Sequence, residues 1–462
     1  MMNSFATLRF VAVAIATVLF VPRPGLAIRL QAPLDYRASI PHSDHITTML
    51  TDFRYDQTPE EYEWTAAHYD RVMGGKIAEY RRRNPAMQYY VYALNLTLIQ
   101  ETSKDLPDLL TVYYEDMKNW YTAHPAYKIE DAFLHDAKAC PASQAKTEGC
   151  RLQVTWAGHA RWVPNPGDPG LRAYDVDRLR RAMLNVQGSG YNADGIFFDE
   201  HASGDFSHWR SLPIREYPDW SGYEDDVVGL LAFERKGIGK IIQINTSEFI
   251  TSIDGRMILA AGAAHMELSN NPMSDWLEDR WKFADTLLQK GAFLETVNAY
   301  SWGESASLKL SPGNQPSGVL RFKMAELCSY YMMVPSSPLN LALFMSNNGW
   351  DVPHPKEWLK ALEVNVGHPV GPRVLAFQGT DPNGKAVRVW SREFDRALVF
   401  IRSKTTWDYN DYGDGTKISL NLPPGDRWYP LRSDGTLGLP VTSVTLRNPE
   451  GMIFLKGSMA KH

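Results

Sequence analysis

The chain has few cysteines, little net charge and few long apolar runs, and each shortage removes a class of protein. Three cysteines in 462 residues are too few for a scaffold built on disulfides. A formal charge of −5, from 48 Lys and Arg against 53 Asp and Glu, lacks the basic excess that coats phosphate backbones. Nucleic acid is therefore not an expected partner. After residue 27 no apolar stretch of about 20 residues follows, so no membrane span is expected in the mature chain. GxSxG and GxGxxG strand–turn–helix fingerprints are missing as well, which removes the serine-hydrolase elbow and the dinucleotide fold. Internal repeats and low-complexity tracts are also lacking.

What is present begins with Arg9, the apolar run Phe10 to Val21, and Gly25-Leu26-Ala27. This pattern is expected to be a secretory signal peptide spanning 1–27, which places the mature protein outside the cytoplasm, secreted or periplasmic. In such a compartment Cys140 and Cys150, ten residues apart in a polar stretch, are expected to pair. Cys328 lies in an apolar helical run and is expected to be a buried thiol. The sequons at Asn95 and Asn245 fall in expected strands, poor places for glycosylation.

From residue 46 onward short β-type runs alternate with helical stretches, the pattern of a parallel sheet wrapped by helices. The strands are read at 46–52, 69–73, 87–94, 194–199, 240–246, 264–268, 292–299 and 339–345. Eight is the number a closed (β/α)8 barrel needs. Expected helices include one opened by Thr58-Pro59-Glu60-Glu61, one over Asp175 to Val186 and one over Ser274 to Lys290. A long connection after the third strand holds a helix over Asp105 to Ala123, the two cysteines and the Pro/Gly-rich turn VPNPGDPG; long loops of this kind build binding faces. Past Pro353 the texture changes to short strands and turns, from VLAFQG to GMIFLK. The expected organisation is a barrel over 28–365 followed by an antiparallel β-sandwich over 366–462.

Barrel chemistry sits at the carboxyl ends of the strands, so polar residues that close a strand are the informative ones. DGIFFDE ends in Asp199-Glu200, two acids that a core strand would otherwise not carry. Glu267 ends AHMEL, Glu295 lies in FLETVNA, Asn245 ends IIQIN, and Asp52 ends the first strand. Glycosidic cleavage needs two carboxyl groups across one bond, roughly 5–5.5 Å apart for retention and roughly 6.5–9.5 Å apart for inversion. Asp199 with Glu267 is the expected pair, with Glu200 and Glu295 in reserve. Asp52, Trp156, Asn245, Asn298, Tyr300 and Trp302 supply amide, carboxyl and aromatic groups suited to binding a sugar. A barrel metal site would want His-x-His ending the first strand. His42 and His45 precede that strand and fall on the opposite face, so neither metal nor cofactor is expected.

TDFRYDQTPEE, AAHYDRVMGG, DGIFFDE, VRVWSREFDRALVFIR and LPPGDRWYPLRSDGTLG together resemble the glycosyl-hydrolase-like group known as hypothetical glycoside hydrolase family fifteen, over nearly all of the mature chain. The resemblance implies a TIM barrel followed by a β-sandwich. A looser likeness is to barrel glycosidases such as the α-galactosidases. It implies Asp199 as nucleophile and Glu267, where that group has Asp, as acid/base. In the alternative order, Asp199 activates water and Glu200 or Glu267 is the acid; that order inverts. The expected function is an exported O-glycoside hydrolase acting on a polysaccharide or oligosaccharide, and its rival is a non-catalytic glycan-binding protein on the same scaffold.

Overall fold

The computed structural model describes residues 46–52, 57–94, 99–100, 112–156, 159–199, 213–246, 252–266, 277–297, 315–335, 340–344, 358–380, 384, 386–403, 417–447 and 450–458. Along the chain come β1 (Thr48–Asp52), α1 (Pro59–His68), β2 (Arg71–Gly74), α2 (Ile77–Arg83) and β3 (Gln88–Leu94). An insertion follows, with β4 (Ile99–Gln100), β5 (Val112–Tyr113), α3 (Tyr114–Ala123), β6 (Gln153–Trp156) and β7 (His159–Trp162). The barrel resumes with α4 (Pro169–Met183), β8 (Gly195–Asp199), α5 (Trp220–Ile238), β9 (Ile241–Thr246), α6 (Ser252–Ala261) and β10 (Gly262–Met266). It ends with α7 (Leu277–Gln289), β11 (Phe293–Val297), α8 (Gln315–Met333) and β12 (Leu341–Phe344).

Strands β1, β2, β3, β8, β9, β10, β11 and β12 close on one another in that order. All neighbours are parallel, and β12 returns to β1. This is the expected eight-stranded barrel, each strand within about two residues of its expected place. Both faces of a parallel strand are covered, so β8 and β9 are buried along their length up to Asp199 and Thr246. One face of each strand fills the lumen. Met49, Met73, Tyr90, Phe197, Ile241, Ala263, Phe293 and Ala342 form a single cluster, one residue from each of the eight strands. Gly195 is required here, because a Cβ at that position would lie 2.5 Å from the Tyr90 ring. The other face, with Val72, Val91, Ile196, Phe198, Ile242, Ile244 and Leu294, packs on Tyr62, Leu179, Leu231, Ile258 and Trp281 of the surrounding helices.

Local chemistry sets the helix ends. Thr58 accepts from the Glu61 amide while Glu61 accepts from the Thr58 amide, a capping box with Pro59 in the first turn. The helix expected from Asp175 starts earlier: Asp168 is its N-cap and Pro169 occupies the first turn. The last Pro of VPNPGDPG thus opens a helix, because its fixed φ suits the first turn and its missing N–H costs nothing there.

The C-terminal part forms two antiparallel sheets. The larger runs β13-β14-β15-β19-β17, from Val374–Thr380, Ala386–Glu393, Ala397–Ser403, Glu450–Lys456 and Trp428–Pro430; the smaller pairs β16 (Ile418–Asn421) with β18 (Ser443–Leu446). Val389, Phe400, Leu422, Trp428, Val444 and Leu446 join the two in one core, which is the expected sandwich. The outer face of the larger sheet, with Val399, Ile401 and Ile453, is continuous with the barrel's own core. Strand β19 reaches α8 so closely that a Cβ on Gly451 would lie 2.7 Å from Cys328 Cβ and Sγ and 2.9 Å from Ala325 Cα. Gly451→Ala must therefore push sheet and helix apart, a loss of about 1–3 kcal/mol. Chemical denaturation is expected to show a lowered midpoint, and an unchanged midpoint would mean that the contact gives way freely.

Candidate active site

The lumen turns from apolar to polar in the two-residue step that a strand imposes. Two positions beyond Phe197 on β8 is Asp199; beyond Ile241 on β9 come Gln243 and Asn245; beyond Ala263 is His265; beyond Phe293 is Glu295. Register sets His265 beside Asn245 on one side and beside Glu295 on the other. Phe198 pairs with Ile244, which carries Asp199 to the level of Asn245.

These residues form two linked groups. Asp199 is half-buried; its Oδ1 accepts from Asn245 Nδ2 at 2.7 Å and its Oδ2 from the Tyr92 hydroxyl. With a donor on each oxygen, the carboxylate is held in one orientation while an edge of the side chain remains accessible. Deeper in the barrel, Glu295 is fully buried, and its Oε2 receives Gln243 Nε2 at 2.5 Å and faces His265 Nδ1 at 2.8 Å. Phe197 ties the groups together: Tyr92 stacks on it at 5.8 Å and His265 meets its edge at 5.2 Å. Further down, Arg71 is wholly buried with its guanidinium 3.9 Å from the centre of the Phe293 ring, a cation–π contact.

Of the expected site residues, the structure brings together Asp199, Asn245 and, one layer below, Glu295. Glu295 was expected as a reserve catalytic acid. Its complete burial places it against His265 and Gln243 rather than at an accessible surface, since an interior acid persists where partners hold it. Asp52 closes β1 and Trp156 closes β6, with their side chains outside the described residues. Glu200, Glu267, Asn298, Tyr300 and Trp302 lie outside them too, as do His42, His45 and the segment 1–27. Tyr92, Gln243 and His265 went unread in the sequence although a signal existed. Each shares the parity of a lumen residue, Tyr92 with Tyr90, Gln243 with Ile241, His265 with Ala263. The buried Asn245 side chain is committed to Asp199, so the second sequon is no glycan acceptor in the folded chain.

A second polar centre lies in the insertion. His135 is fully buried, with Nδ1 2.7 Å from Glu216 Oε1 and Nε2 3.7 Å from Glu130 Oε2. Burial alone would lower its pKa, yet the carboxylates of Glu130 and Glu216 override that and push it up to about 9. Glu130 is drawn down to about 2 against its own burial by His135 and Arg151, and Glu216 is lowered against burial by His135 and Lys146. Arg151 pairs with Glu130 and is stacked among Phe133, Tyr114 and Trp162, with ring centres 4.0–4.8 Å away. All three cysteines are free thiols, so the expected Cys140–Cys150 disulfide is not formed in this structure.

On the flank, a groove of about 510 Å³ is lined by Leu288, Met333, Pro335, Trp390 and Arg392. Its one acid, Asp285, is tied to Arg373 at 2.7 Å, so it offers no carboxylate pair. Among the described residues no group of three His, Cys, Asp or Glu is placed to hold a metal ion, and no helix is long and apolar enough to cross a membrane.

No family model and no curated protein sequence matches the chain. Several solved structures are similar to it. A noncanonic maltogenic α-amylase, AmyB from Thermotoga neapolitana, is 10% identical, with 88% of this chain and 98% of that one covered at a TM-score of 0.46. An α-amylase from H. orenii is 9% identical, covering 90% and 100% at 0.45. The trehalose-6-phosphate hydrolase TreA from Bacillus licheniformis is 9% identical, covering 89% and 99% at 0.47. None of these similarities bears on which side chains act.

Proposed function

We propose that the protein is an exported O-glycoside hydrolase in which Asp199 is one of two reacting carboxyl groups. The observation that carries this reading is an accessible carboxylate at the carboxyl end of a barrel strand, oriented by Tyr92 and Asn245. Glycoside cleavage asks for such a group, because attack or proton transfer at the anomeric centre needs a fixed oxygen facing substrate. Glu267 is its proposed partner: in the sequence it stands two positions after His265, which stands two after Ala263. His265, braced by Glu295, is proposed to position this face rather than to touch the scissile bond. Export rests on the apolar run Phe10 to Val21 before Gly25-Leu26-Ala27.

The test is sugar release from a panel of polysaccharides and aryl glycosides by the wild type, Asp199→Asn and Glu267→Gln. Release by wild type alone, indifferent to chelator, supports the two-carboxylate reading. Sugar bound equally by all three with no release would instead identify a glycan-binding protein on a barrel scaffold.

A further inference from the structure

The insertion holds a feature that glycoside chemistry does not use. Cys140 and Cys150 are both buried, at 0% and 7% exposure, and the ionisation of each thiol bears on the other. Their backbones are joined through one residue: the Cys140 amide donates to Asp136 O at 2.8 Å, and the Asp136 amide donates to Cys150 O at 3.0 Å. Arg215, 75 positions away in sequence, donates from Nη1 to Cys140 Sγ at 2.9 Å and reaches Ala142 O with Nη2. On the other side Cys150 Sγ contacts the Thr147 hydroxyl at 3.6 Å and its carbonyl at 3.3 Å. A pair of thiols flanked by a guanidinium and by the His135 centre sits in the electropositive setting that favours thiolate chemistry.

We propose that Cys140 and Cys150 form a reversible redox pair, a thiol–disulfide modification site whose oxidant is a small-molecule disulfide. Cys150 is the attacking residue, because it is the less covered. Burial opposes its thiolate, but Cys140, Thr147 and the charge of His135 outweigh burial and lower its pKa. Its thiolate attacks one sulfur of the reagent, forming a mixed disulfide and expelling one thiolate. Cys140 then gives up its proton and attacks Cys150 Sγ, with Arg215 beside the developing negative charge. The Cys140–Cys150 bond forms and the second reagent thiolate leaves. Two protein thiols are oxidised, one reagent disulfide is reduced to two thiols, and the two protons pass to the expelled thiolates.

The bond would close the 140–150 loop on itself, beside the segment from which Arg215 reaches Cys140 Sγ. That segment is already fixed to the insertion, since the Ala137 amide donates to Pro213 O at 3.0 Å and the Arg215 amide to His135 O at 2.9 Å.

The experiment incubates the full chain, first reduced, with oxidised glutathione, then unfolds it in a thiol-alkylating reagent and weighs it. The chain has three cysteines, and a single alkyl group per chain is expected, returning to three after dithiothreitol. Cys140→Ser is expected to trap glutathione on Cys150, and Cys150→Ser to stay unmodified. Three alkyl groups persisting in the oxidised wild type would overturn the proposal. So would glutathione on Cys140 in Cys150→Ser with none on Cys150 in Cys140→Ser. Neither readout depends on a glycan, so its failure is distinguishable from failure of the glycosidase reading.

Discussion

Asp199→Asn is expected to lower kcat for glycoside release by on the order of 10³-fold while leaving the fold intact. Asparagine has nearly the shape of aspartate, and its carboxamide oxygen can still accept from Asn245 Nδ2, now 2.7 Å from Asp199 Oδ1. It cannot attack a sugar or exchange a proton, so the loss falls on chemistry rather than on packing. Tyr92→Phe makes the comparison quantitative: it removes the hydroxyl that donates to Asp199 but keeps the ring that stacks on Phe197. A hydrogen bond to a charged group contributes about 1.5–3 kcal/mol, so a loss of roughly 10- to 150-fold in kcat/KM is expected. Steady-state kinetics on whichever substrate the panel yields, with thermal unfolding alongside, separates the cases. Full activity in Asp199→Asn would remove Asp199 from the mechanism. An equal loss in both variants would mean that the orientation of the group matters as much as its charge.

The barrel was legible because its strands obey one local rule. Strands covered on both faces must be apolar almost throughout, so Gly195 to Phe198 stands out as a short unbroken run and Ile241 to Ile244 as one interrupted only by Gln243, each with a polar closure. The insertion obeys no such rule. Its strands β4 to β7 have two to four residues, and His135 and Arg151 are buried there only because Glu130 and Glu216 arrive from other segments. Nothing local distinguishes a buried His135 from an exposed one. At the site, Asp199 and Asn245 were read because they lie at strand ends, whereas Tyr92 and Gln243 act from within their strands and had only their parity to mark them. Glu295 was visible as an acid but not as a buried one. Its partners Gln243 and His265 come from two other strands, and only the closed barrel brings them together.

The buried His135 centre should make stability depend on pH in a definite direction. The folded-state pKa of His135 is about 9, above the ordinary 6.5, so its protonated form is favoured by folding. That contribution is complete below about pH 6.5 and is lost as the pH rises through about 9. Glu130 is the reverse case: its pKa falls from 4.5 to about 2, so its contribution is present above about pH 4.5 and is lost on acidification toward 2. The two are opposite ends of one interaction and do not add. Together they bound a plateau between about pH 4.5 and 6.5, and the alkaline decline from the His135 shift is of order 3 kcal/mol. Arg151, raised against its burial by Glu130, stays charged across that range, and Cys150, a titrating neighbour, is removed as a variable in Cys150→Ser. Denaturant unfolding of Cys150→Ser from pH 5.5 to 9 should therefore show a falling free energy, and adding His135→Gln should flatten that fall. It should also cost several kcal/mol at pH 5.5, because Glu130 and Glu216 lose the cation between them. Parallel pH profiles with and without His135 would show that the charge is not carried by this residue.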